Sequence, residues 1–196
     1  MPGSDEAQLD EYFEDLRQRI KTPAALSPTQ GDPIFYFVYP PQQTLTVRRL
    51  WAGWKARLIH QDGLTVEELS LAEVLWSVVD EAPAQWAELL EWEASFSTEE
   101  LNGAIRDLLV NGNALVRRVA ERVTAARSGV VLFLTDVELL HPYFRTRFIE
   151  SYLNNKVAVP TVLFYPGLRV GEYGLRFLGF YPEDSGYRSP VIGGLT

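Results

Sequence analysis

The chain has 196 residues, 46% of them hydrophobic and 22% charged, the balance of a globular protein long enough to bury roughly 70% of its unfolded surface in one core. No apolar run approaches the roughly 18 residues of a bilayer span, and with no cysteine neither a disulfide framework nor a thiolate metal site is possible. The net charge of −8 repels a phosphate backbone unless arginines gather on one face.

The opening stretch "MPGSDEAQLDEYFEDLRQRIK" is acidic and polar, the opposite of a secretory signal, so a cytoplasmic protein is expected. Leu9, Phe13, Leu16 and Ile20 recur at three- and four-residue spacing and make one apolar stripe, a docking helix. "TPAALSPTQGDP" breaks it into a loop. "IFYFVY" (34–39) then reads as a strand covered on both faces.

Pro40 and Pro41 stop that strand. The next helix carries Leu45, Leu50, Trp51, Trp54 and Leu58 on one side and ends at Gly63. A short strand over 64–71 leads to Ser70 and Glu73, which have the spacing of a capping box for a helix over 71–79. Pro83 opens another helix, with Trp86, Leu89, Leu90 and Trp92. Ser97 and Glu100 form a second capping box, heading an amphipathic run through Val123 that "NGN" at 111–113 kinks or splits.

"GVVLFLTD" (129–136) is a second buried strand, "HPYFRTRFIESYLNN" a short helix started by Pro142, and "PTVLFYPG" a third buried strand, followed by a glycine-punctuated loop. "LRFLG" is a last, shorter strand. Strand alternating with helix implies parallel pairing through right-handed crossovers. The expected fold is therefore a three-layer α/β domain over 1–196, with a mostly parallel sheet and a P-loop-NTPase-like or Rossmann-like scaffold. Its parts are an N-terminal helix and loop (1–33), a core (34–182) and a C-terminal tail (183–196).

The phosphate cradle of a P-loop protein is missing. The first strand runs into "PPQQTLTV", without glycine, and none of Lys21, Lys55 and Lys156 follows a glycine. The glycines at 167, 171, 174 and 179 do not make G-x-G-x-x-G after a strand. No serine lies in G-x-S-x-G. No cofactor and no enzymatic activity is implied. One metal reading stays open, Asp136 with His141, against capping roles for both residues at the ends of neighbouring elements.

Arg145, Arg147, Arg169, Arg176 and Arg188 gather in the C-terminal third, interleaved with Tyr143, Phe144, Phe148, Tyr165, Tyr173, Tyr181 and Tyr187. Arginine and tyrosine are enriched at protein interfaces because each combines planar apolar area with hydrogen-bonding groups. The same mixture could stack bases and clamp phosphates, so a nucleic-acid module remains the rival of a protein-binding surface. Trp92, between Glu91 and Glu93, is the tryptophan expected at a contact. "EAPAQWAELLEWEASFSTEE" has acidic residues and no basic one, and an acidic surface beside a basic third suits an adaptor docking at both ends.

The order of pieces, with "FLTDVELLHPYFR", "VPTVLFYPG", "LRFLG" and "GYR" as its most specific stretches, resembles the BrxB family of bacteriophage exclusion (BREX) defence systems. The resemblance runs over nearly the whole chain and concentrates between Val130 and Arg188. It departs at "GYRSPVIG", where family members tend to have paired tyrosines before the arginine and then alanine and an aromatic. It implies a small cytoplasmic, non-enzymatic component of a multi-protein assembly. Its partners there would be a PglX-type DNA methyltransferase, a BrxC-type ATPase and the alkaline-phosphatase-like PglZ, with DNA reached indirectly through the complex.

Overall fold

The computed structural model describes residues 2–22, 32–171 and 174–194, except for the side chains of residues 2–4 and Trp92. Five strands form a parallel sheet: β1 (Ile34–Tyr39), β2 (Thr65–Ser70), β3 (Val130–Thr135), β4 (Thr161–Val170) and β7 (Val191–Gly193), in the order β2-β3-β4-β1-β7. A hairpin projects from β4 through β5 (Gly174–Phe177) to the two-residue β6 (Asp184–Ser185). Helices cover both faces, so the three-layer α/β architecture expected from the strand and helix alternation is the one observed.

Central strands are apolar without alternation because both of their faces are covered. In β1, Phe35, Phe37 and Tyr39 point to one face and Ile34, Tyr36 and Val38 to the other. The first face receives α1 (Pro2–Lys21) and α2 (Thr44–His60), with Leu9, Phe13, Leu16 and Ile20 buried along α1. Phe13 lies flat on Trp54, ring centroids 4.8 Å apart, and the Trp54 Nε1–H donates to Asp10 Oδ1 at 2.6 Å. Arg17 closes the far end of this helix pair on Asp62, its Nη2 donating to Oδ1 at 2.9 Å.

The opposite face receives α3 (Leu71–Asp80), α5 (Thr98–Val110), α6 (Ala114–Thr124) and α7 (Thr146–Leu153), while α4 (Pro83–Trp92) packs outside on α3. Ser97 and Glu100 form the complete reciprocal capping box at the start of α5. The chain breaks between α5 and α6 where Gly112 and Asn113 take left-handed φ values of 58° and 57°. Of the tryptophans, Trp54 is fully buried, Trp51 and Trp86 are half-buried and Trp76 is exposed. The Trp92 side chain and Tyr173 lie outside what the structure describes.

Three segments differ from the sequence expectation. Pro142 does not start α7: the Leu140 carbonyl accepts the N–H groups of both Tyr143 and Phe144 at 2.8 Å in a tight turn, and the helix begins at Thr146. Only from that residue does the buried register Thr146, Ile149, Glu150, Leu153 run unbroken. Nor does β4 end at Pro166-Gly167. It passes through them and pairs with β5, because Pro166 stands where the strand leaves its parallel neighbour β1 and no N–H is needed. Glycine is required next: a Cβ on Gly167 would lie 2.5 Å from the Tyr165 ring and 2.6 Å from the Arg176 carbonyl oxygen. Finally, Val191–Gly193, in the stretch read as a tail, forms the edge strand beside β1.

Candidate functional site

In open α/β sheets ligands bind at the carboxyl ends of the strands, and here that edge brings together Tyr39, Ser70 and Asp136. Asp136 follows β3 with a left-handed φ of 57°. Its side chain makes no cap to the 3-10 turn that follows. Instead Oδ1 accepts from Arg48 Nη2 at 2.5 Å and Oδ2 from the Ser70 hydroxyl at 2.6 Å. Arg48 reaches Glu138 Oε1 at 2.8 Å as well, so the local charges pair with one another. The Tyr39 hydroxyl beneath them is pushed above its usual range by burial and by the Glu138 carboxylate.

His141 is not beside Asp136 as a co-ligand. Its Nδ1 is paired with the Tyr181 hydroxyl, and its ring meets Phe180 and Tyr181 edge-on at 5.5 and 5.2 Å. Burial and the nearby Arg145 charge lower its pKa. Among the described residues no group of three histidine or carboxylate side chains could hold a metal ion. Asp136 and His141 thus serve different contacts.

A second constellation surrounds α7. Glu150, on the buried face of that helix, accepts on Oε1 from the backbone N–H groups of Arg188 and Ser189 at 3.0 and 2.8 Å and from the Ser189 hydroxyl at 2.6 Å. Its Oε2 lies 3.4 Å from the Tyr36 hydroxyl. Tyr36, Tyr165 and Tyr187 stand edge-on in one cluster, with Tyr36 5.0 Å from Tyr187 and 5.6 Å from Tyr165. Burial is the leading cause that raises the hydroxyl pKa of all three, so they stay neutral. One carboxylate therefore fastens the segment leading into β7 onto α7.

The arginines singled out by sequence fall on three faces. Arg145, the residue before α7, lies over the Tyr181 ring with its guanidinium carbon 3.5 Å from the centroid, and lines an apolar groove of about 700 Å³ between α5, α6 and α7. Arg147, two residues on and inside the helix, turns to a different partner. It pairs with Asp184 at 2.9 Å and, with Arg188 and Ser189, lines a polar hollow of about 500 Å³. Arg169 and Arg176 sit half-buried on the β4–β5 hairpin. Tyr187 is a core residue, 8% exposed; it supports the backbone that carries Arg188.

Sequence reasoning passed over Glu150 and Arg48. A carboxylate at position 150, on the apolar stripe of Thr146, Ile149 and Leu153, is the one local sign that this helix buries a charge. Arg48 carries no such sign, since its partner is 88 residues away.

No curated protein and no solved structure matches the chain. A family model for the BREX protein BrxB does, over residues 67–192. That span runs from β2 into β7 and holds Ser70, Asp136, Glu150, Tyr165, Tyr187 and residues 188–189, while Tyr36, Tyr39 and Arg48, on β1 and α2, lie before it. The four stretches that carried the resemblance are thereby placed in one continuous match, and the chain belongs to the BrxB family, components of BREX phage-defence systems.

Proposed function

We propose that the chain is a non-enzymatic adaptor of a BREX assembly, joining PglZ to the methyltransferase or the ATPase through the face at α7 that carries Arg147 and Arg188. The observation that carries this reading is the Glu150 anchor. Three hydrogen bonds to one carboxylate oxygen hold the backbone of residues 188–189 beside α7, so the exposed Arg188 guanidinium and Arg147 are presented from a rigid frame. Preorganised arginines lose less side-chain entropy on docking, which is how a small surface gains affinity. A partner that presents carboxylates, aromatic rings or both is the one such a surface fits.

The state of Asp136 supports an adaptor over a catalyst. Its carboxylate is already matched by Arg48 and Ser70, whereas a catalytic carboxylate needs a free oxygen directed at substrate. The strongly acidic chain and the Arg147–Asp184 pair weigh for a protein partner against nucleic acid. No helix among the described residues is long and apolar enough to cross a membrane, which agrees with the proposed cytoplasmic location.

The test is binding of the purified chain to each neighbouring defence protein, with Arg147→Glu and Arg188→Glu compared with the parent. The reading expects one partner whose dissociation constant rises at least about tenfold in the double variant, as for reversal of a desolvated interfacial charge. Unchanged affinity for every partner would remove this face from the account. Binding to DNA that falls steeply with salt and disappears in the same variant would replace the adaptor with a nucleic-acid module.

A further inference from the structure

We infer that the chain pairs with a second copy of itself through the face of α4, α5 and α7, about a two-fold axis near Val110. Val110 ends α5 and is half exposed, at 52%. On one side of it lies the groove of about 700 Å³, walled by Leu109, Val116, Tyr143, Phe148 and Tyr152. Its charged lining residues among those described are Arg106 and Arg145, with no carboxylate. On the other side, between α4 and α5, lies a hollow of about 840 Å³, walled by Leu89, Phe96 and Leu108. Its charged lining residues are Glu88, Glu100 and Asp107, with no cation. Val110 lines both.

Two neighbouring concavities, one lined by cations and one by carboxylates, on either side of the exposed Val110, form a patch whose charges are self-complementary. A two-fold interface brings the same patch of each copy together, residue i meeting j and j meeting i. Rotation about an axis near Val110 sets Val110 against Val110, each basic groove against the other copy's acidic hollow, and so makes each charge contact twice. A foreign partner would have to carry the reversed order of charges; a second copy carries it necessarily.

Two terms oppose this pairing, and neither outweighs it. Each copy carries −8, but repulsion between charges farther apart than a Debye length, about 8 Å at physiological salt, is largely screened, while the facing pairs fall within it. Ordering of long side chains is partly prepaid: Arg106 Nη2 already donates to the Pro142 carbonyl at 3.3 Å, and Arg145 is held on Tyr181. Phe148 and Ser151 line both this groove and the polar hollow, but the charged residues differ, Arg106 and Arg145 in the one and Arg147 and Arg188 in the other, so variants of each set test self-association and partner docking separately.

Sedimentation velocity of the full chain over a wide concentration range is the test. The parent should move from the monomer mass of 22.2 kDa toward twice that value. Arg106→Glu with Arg145→Glu makes both concavities acidic, and Glu88→Arg with Asp107→Arg makes both basic. Each double variant alone should raise the dimer dissociation constant by well over about tenfold through like-charge contact, and an equimolar mixture of the two should restore the dimer. Val110→Asp, at an exposed position that leaves the fold intact, should dissociate it as well; circular dichroism confirms folding of every variant. A parent that stays at monomer mass throughout, or a dimer indifferent to all three changes, would overturn the inference.

Discussion

Replacing Glu150 by alanine removes the acceptor of four donors and leaves the N–H groups of Arg188 and Ser189, the Ser189 hydroxyl and the Tyr36 hydroxyl facing an apolar methyl group. A hydrogen bond to a charged group contributes about 1.5–3 kcal/mol, and a buried donor left unsatisfied costs about 1–3 kcal/mol. The adjacent hollow, which Glu150 and Ser189 both line, lets water reach some of these groups. The expected loss is therefore nearer about 3–5 kcal/mol than the full sum. For a chain of this size that lowers Tm by about 10 °C. Glu150→Gln keeps an acceptor oxygen in place without the charge and should lose about 1 kcal/mol. Urea denaturation of the parent and both variants gives the energies, and hydrogen exchange locates the change: the Arg188 and Ser189 amides should lose protection in Glu150→Ala before those of β3 do. An alanine variant within about 1 kcal/mol of the parent, with residues 188–189 still protected, would refute the idea that this carboxylate fastens the segment.

Other consequences follow from the packing. Phe13→Ala empties the site stacked on Trp54 and should destabilise the protein by about 3–5 kcal/mol in the same denaturation assay; a loss under about 1 kcal/mol would mean that α1 docks on the sheet less tightly than the stack implies. Gly167→Ala places a methyl group against the Tyr165 ring and the Arg176 carbonyl, so a loss of about 1–3 kcal/mol is expected, and an unchanged Tm would show that the hairpin moves freely. The bond from Arg17, outweighing the opposing effect of burial, holds the Asp62 carboxyl below its usual value. A depressed carboxylate stabilises above its unfolded pKa of about 3.9 and loses that contribution as pH falls through the folded value. The stability gap between the parent and Asp62→Asn should accordingly be full at neutral pH and close as pH drops below about 4; a gap independent of pH would separate Asp62 from this linkage.

What could be read from the chain and what could not divides along the range of the interactions. The stripe of Leu9, Phe13, Leu16 and Ile20, the unbroken apolar strands at 34–39 and 130–135, and the Ser97–Glu100 box are local patterns, and each appears where its spacing put it. β7 was invisible because three residues on a sheet edge make no period, and it is a strand only because β1 offers its edge. The fate of Asp136 depends on Arg48, and that of Glu150 on residues 38 and 39 positions away, pairings that no window of sequence contains. The arginine cluster is the intermediate case. Its composition was plain, but the cluster read as one surface, and only the fold assigns Arg145 to an apolar groove and Arg147 to a polar hollow.

The adaptor reading is tested most directly by co-expressing the tagged full chain with its neighbouring defence proteins and measuring the native mass of what purifies with it at moderate salt. The account predicts a complex of defined stoichiometry containing PglZ together with the methyltransferase or the ATPase, whose affinity for this chain depends on Arg147 and Arg188. Recovery of the chain without any of those proteins, at every salt concentration tried, would contradict it.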